Sequence, residues 1–132
     1  MNRFNLSIFL FGLLFLKTEP LVAATDDATG QQLFDRHCSV CHSMQPPPKT
    51  APPVLGIALH YREAFGDKTQ ATEHMVKFMQ KPDPALSKLE PAAVRRFGLM
   101  PAMSMTLQEL RKVAVWLWDS YDPQFKTPGN CR

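Results

Sequence analysis

The sequence predicts an all-α protein built as one domain, and three observations carry that prediction. Thr106 stands three residues before Glu109 at the head of a run in which Leu110, Val113, Ala114, Trp116, Leu117 and Tyr121 line one face. That is a capping box followed by an amphipathic helix. Gly30, Phe34 and Cys38 recur every four residues, the spacing that stacks side chains along one face of an earlier helix. No segment alternates apolar and polar residues as a half-buried strand would, and the 12 prolines cluster between the helical stretches. A chain of 132 residues is long enough for one domain and not for two.

The chain begins with a positive Arg3, an unbroken apolar run from Leu6 to Leu16, then Lys17, Thr18, Glu19 and Pro20, and small residues at Ala23 and Ala24. This is the layout of a secretory signal peptide, so residues 1–24 are assigned to a signal and 25–132 to the folded domain. The apolar run is shorter than the roughly 20 residues of a membrane span. Lys17 and Glu19 sit before the cleavage site, which keeps an uncleaved N-terminal anchor as the alternative. Formal net charge is +3, and removal of Arg3, Lys17 and Glu19 leaves +2. No basic run or aromatic-basic stripe points to nucleic acid.

The first helix is expected over residues 29–37, with Thr29 as N-cap. It runs into Cys38-Ser39-Val40-Cys41-His42. Two thiols three apart, with a histidine directly after the second, are what covalent haem attachment requires. Each thiol can add to one porphyrin vinyl group, and the histidine can become an axial ligand of the iron. On a helical turn all three groups share one face. A thioredoxin-type dithiol would need a βαβ pattern around it, and none is present. A zinc site would need two more ligands at suitable spacing, whereas His37, His60, His74 and Cys131 are scattered. A plain disulfide between Cys38 and Cys41 is the least specific reading. Cys131, next to last, is read as part of a frayed tail rather than as a bridge.

The segment from Ser43 to Pro53 holds Pro46-Pro47-Pro48 and Pro52-Pro53 and is read as an irregular loop. Residues 54–59 are short and apolar, either a turn of helix or an extended piece. A second helix is expected over 69–80, with Ala71, Met75, Phe78 and Met79 on its apolar face and Pro82 and Pro84 ending it. A third runs from Pro91 to Phe97, with Gly98 as its stop. The last helix is stopped by Pro123.

Iron held by His42 on one side needs a second ligand from elsewhere. Met100 is the leading candidate, because Pro101 after it stiffens the loop that presents the sulfur. Met103 and Met105 are alternatives that could equally be core packing, and His60 or His74 would give bis-histidine iron.

With these residues in place, the chain resembles a class I (mitochondrial-type) monohaem cytochrome c of the small bacterial periplasmic type. Gly30, Phe34 and Cys38 match the first helix of that family, and Met100-Pro101, Thr106, Glu109 and Trp116 match its methionine loop and final helix in order and spacing. The resemblance covers residues 26 to 121 and departs in length between Met44 and Leu99. It implies helices wrapped around one covalently bound haem c, with Cys38 and Cys41 as the attachment sites and His42 and Met100 as the axial iron ligands. It implies that Gly30 and Phe34 pack on Trp116. It also implies a proline carbonyl that accepts the ligand histidine's far N–H, with Pro52 as the match and Pro53 next. Tyr61, Arg62 and Lys49 are the candidate partners of the haem propionates.

The resulting expectation is a periplasmic one-electron carrier and not an enzyme, because both iron faces are closed and no nucleophile-base constellation stands beside the motif. Redox partner proteins would dock transiently at the haem edge, rimmed by Met44, Pro46 to Pro48 and Met103. Neither a small-molecule substrate nor membrane association after signal cleavage is expected. The alternatives are a dedicated haem-bearing subunit of a periplasmic dehydrogenase, or a haem-based sensor with a labile sixth ligand.

Overall fold

The computed structural model describes residues 28–127. The signal assigned to 1–24 and the Cys131 tail lie outside the described residues. Within them the chain forms five α-helices and no strand: α1 (Gly30–His37), α2 (Val54–Ala64), α3 (Lys68–Gln80), α4 (Pro91–Phe97) and α5 (Leu107–Asp119). The all-α expectation is met.

Helix α5 is the hub, packing on α1, α2 and α3. Its start follows the expected chemistry. The Thr106 hydroxyl accepts from the Glu109 N–H, and the Glu109 carboxylate accepts from the Thr106 N–H at 2.7 Å. The Thr106 hydroxyl also donates to that carboxylate at 2.7 Å, and this bond, then the one from the Thr106 N–H, holds the exposed Glu109 carboxyl below its usual range. The helix ends at Asp119, short of Tyr121, with the Ser120 hydroxyl donating to the Trp116 carbonyl at 2.8 Å. Leu110, Val113, Ala114 and Trp118 are its buried face. Trp118, absent from the expected face, carries the Arg62 guanidinium 3.9 Å above its ring and accepts from Arg62 at its carbonyl, 3.1 Å away.

Helix α1 has a capping box of its own, Thr29 with Gln32. It crosses α5 at Gly30, where a Cβ would collide with the Lys112 carbonyl oxygen and come within 2.6 Å of Trp116 Cβ. Only glycine permits that approach. Beside it, the Phe34 and Trp116 rings lie 4.8 Å apart, and the Lys112 ammonium donates to the Ala28 carbonyl at 3.0 Å. These contacts tie the head of the fold to its last helix.

Helix α3 starts one residue before its expected position, because Asp67 serves as N-cap and accepts from the Gln70 N–H at 2.9 Å. Its buried residues are Ala71, Met75, Val76 and Met79, while Phe78 is half-buried. Asp83 then caps a 3-10 turn, Pro84–Leu86, that sequence reading passed over. Helix α4 spans the expected residues and stops at Gly98, whose φ of 74° lies in the region that glycine favours.

The largest departure is α2. The apolar residues at 54–59 open an 11-residue helix rather than one turn. Beyond Leu59, Tyr61 is buried, His60 half-buried, and Arg62 and Glu63 exposed, so the helix is apolar on one side only. That extra length brings Tyr61, 6 % exposed, into the core.

Candidate functional site

The attachment motif continues α1 as one further turn. The Cys38 N–H donates to the Phe34 carbonyl at 2.8 Å, and the Cys41 and His42 N–H groups both return to the Cys38 carbonyl, at 3.1 and 2.9 Å. Residues i, i+3 and i+4 of that turn therefore face one way, and Cys38, Cys41 and His42 all line a cavity of about 240 Å³. The loop after the motif folds back against it. The Ala51 N–H donates to the Cys41 carbonyl, the Val54 N–H to the Ser43 carbonyl and the Lys49 ammonium to the Ser39 carbonyl. This return sets Pro52 beside His42, with Nδ1 2.7 Å from the Pro52 carbonyl oxygen.

That bond decides the state of the imidazole. A carbonyl can only accept, so Nδ1 carries the proton and Nε2 keeps its lone pair. Burial pushes His42 below its ordinary value, outweighing the opposing effect of the Pro52 bond. The ring is thus neutral at neutral pH, with one oriented nitrogen able to bind a metal.

Cys38 lacks the lowered pKa of a redox dithiol. Burial, and then the neighbouring Cys41, push Cys38 up to about 11. A dithiol of the thioredoxin type depends on a lowered value. A zinc site is disfavoured on geometry: no group of three or more His, Cys, Asp or Glu able to hold a metal ion occurs among the described residues.

The cavity walls are mostly apolar, with Val54, Ile57, Met75, Phe78 and Met79 among them, and the methionine loop contributes Met100 and Met103. On a single turn the cavity presents two thiols and one oriented imidazole, with thioether sulfurs and His37 also on its wall. The residues present fit a covalently attached porphyrin.

Of the other expected ligands, His60 lies outside the cavity wall and faces Glu63 at 3.3 Å, and His74 is bonded to Tyr61. Met105 packs against the core. Of the three candidate propionate partners, Tyr61 lines the cavity. Arg62 is committed to Trp118 and Lys49 to the Ser39 carbonyl, and neither lines it. Sequence reading also passed over Val40, which is 78 % exposed within the attachment turn. Its place between the two thiols was the available signal.

The cytochrome c family model matches residues 28–120. A protein of Aquifex aeolicus (strain VF5), itself described only as uncharacterized, is 22% identical over 74% of this chain and 76% of its own length. No solved structure matches the chain significantly.

Proposed function

The chain belongs to the cytochrome c family, and on that premise we propose that it is a one-electron carrier holding one haem c between His42 and Met100. Membership makes it a protein of haem-based electron transfer, in a fold that carries a covalently bound c-type haem. When bound, that group supplies a one-electron iron couple whose potential the axial ligands and the surroundings set.

The single observation that carries the reading is the His42 to Pro52 bond within the attachment turn. It gives the imidazole one tautomer and one orientation, and it raises the basicity of the nitrogen left for iron. Cys38 and Cys41 hold the porphyrin edge through thioethers. Met100 supplies the second ligand, a sulfur that, paired with histidine, raises the potential. Apolar side chains such as Val54, Ile57 and Met75 keep water from the crevice. The protein's contribution is therefore to bind, orient and exclude solvent, and no substrate site at iron is needed.

Partners dock beside the attachment turn, where Val40 and Met44 leave apolar surface exposed, in the small interfaces typical of transient redox encounters. The protein works in the periplasm. Fractionation of cells before and after removal of residues 1–24 tests the location.

The ligand assignment is tested by the visible spectrum of the oxidised protein. The weak far-red band of sulfur-ligated haem iron should be present, disappear in Met100→Ala and persist in Met103→Ala. The opposite pattern would move the ligand to Met103.

A further inference from the structure

The electron-carrier reading leaves one bond between polar side chains without a role. Tyr61 on α2 lines the crevice, and its hydroxyl oxygen lies 3.1 Å from Nδ1 of His74 on α3. Aromatic rings hold the pair in place. Phe65 stacks on Tyr61 at 5.8 Å and lies 5.1 Å from the imidazole, which meets the Tyr61 ring edge-on at 5.7 Å.

The two members differ in access and in charge behaviour. Tyr61 is buried, and burial raises its phenol far above the ordinary range, so it stays protonated. His74 is half-buried and reaches solvent. The charges that act on it are Lys88, in the segment before α4, and Lys77, on its own helix. Lys88 also lies 5.3 Å over the Phe65 ring. From α2 the facing group is the neutral Tyr61, and at the contact of α3 with α5 the ions Lys68 and Asp119 pair with each other at 2.7 Å. Burial, then the two lysines, push His74 below its usual value. It is therefore neutral at neutral pH and gains its proton in acidic solution.

We propose that His74 is a positioning residue whose protonation turns the Tyr61 hydroxyl and so makes the protein's reduction potential depend on pH. The inference rests on the haem reading above. With His74 neutral, the phenol donates to the Nδ1 lone pair. With His74 protonated, Nδ1–H donates to the phenol oxygen, and the phenolic hydrogen must turn away from the imidazole. A positive charge then stands one hydrogen bond behind the crevice wall. That charge favours the electron-richer state, so His74 holds its proton more tightly in the reduced protein. Between the two pKa values the protein accepts one electron from its redox partner while His74 takes up to one proton from bulk water. Oxidation returns both. The potential is highest in acid, falls as pH rises through this interval and then levels.

The test is spectroelectrochemistry of the holoprotein from acid to neutral pH, with the His74 ring protons followed by NMR in both oxidation states. The unmodified protein should show one downward step in potential, at the pH where His74 titrates. His74→Gln keeps a hydrogen-bonding amide beside Tyr61 but cannot change charge, and the step should be lost. Tyr61→Phe keeps the ring and removes the hydroxyl, and the step should shrink while His74 still titrates. A flat potential in the unmodified holoprotein overturns the proposal. So does a step that survives in His74→Gln, or one that keeps full size in Tyr61→Phe. Haem that remains with the denatured protein is verified first, since its absence would overturn the haem reading along with the inference.

Discussion

Two walls of the crevice are built on different principles. The wall from Cys38 to Val54 is tied by directional bonds. Cys41 and His42 return to the Cys38 carbonyl, Ala51 to Cys41, Val54 to Ser43 and Leu55 to Met44, all between 2.8 and 3.1 Å, and the His42 ring closes on Pro52 at 2.7 Å. The wall from Gly98 to Thr106 has no regular structure. Between its ends at Gly98 and Thr106, which bond α4 and α5, one backbone hydrogen bond among the described residues ties it to the rest of the fold, from the Met103 N–H to the Met79 carbonyl at 2.9 Å. Met100, Met103 and Met105 are otherwise held by packing against the core. Hydrogen bonds specify an orientation, whereas contacts between flexible thioethers are individually weak and adaptable. The nitrogen side is pre-organised, and the sulfur side is the one that can give way.

The most severe way to break this comparison is at the fixed wall. His42→Ala removes the only oriented ring nitrogen of the attachment turn, and the expected outcome is complete loss of the low-spin spectrum. Met100→Ala should be milder in kind. Haem should stay attached, carbon monoxide should bind the reduced protein, and the potential should fall by a substantial part of the about 0.8 V that axial ligands span. If Met100→Ala also loses its attached haem, the two walls are not independent. Thr106→Ala sharpens the contrast, since it removes the cap where the methionine loop enters α5. It should cost about 1 kcal/mol, lower the melting temperature by about 4–8 °C and speed entry of external ligands such as imidazole by about fivefold. That difference should shrink in acid but not disappear, because the Thr106 hydroxyl still accepts from the Glu109 N–H. Glu109 is held below its unfolded value, so its contribution is present above that value and is lost as pH falls through the folded one. The smallest effect belongs to the exposed edge of the fixed wall. Serines at Pro46 to Pro48 should alter the association or dissociation rate with a redox partner and leave the midpoint potential unchanged. A shifted potential with unchanged partner kinetics would show that this loop shapes the iron site instead.

Legibility followed the same division. Helices α1, α4 and α5 were readable because each carries its punctuation in sequence: Thr29, Pro91 with Gly98, and Thr106 with Glu109. Helix α3 was readable to within a residue, its Asp67 cap having been missed. Helix α2 was not, because its N-cap position is Pro53, which offers no side-chain acceptor, and its apolar opening suits either a helix or an extended piece. Within the site, the attachment turn is local chemistry, contained in five consecutive residues. The bond from Tyr61 to His74 spans 13 residues and two helices, and the reach of Arg62 to the Trp118 carbonyl spans 56. Neither leaves a pattern in sequence, because each depends on how helices dock. For the same reason Arg62 looked available to a propionate when its guanidinium is already committed.

The crossing of α1 and α5 has a consequence in time. Lys112 and Ala28 are joined across 84 residues of sequence, and Trp116 meets a glycine near the start of the domain. During synthesis the attachment turn is complete long before α5 exists. Ribosomes add about 5–20 residues per second, so the roughly 75 residues from His42 to the end of α5 take about 4–15 s to appear. Through that interval the nascent chain carries both thiols but lacks the helix on which α1, α2 and α3 pack. Until then the crevice lacks the wall that Val113 and Leu117 of α5 supply. Closure waits for the last helix, and Gly30 is the latch that receives it.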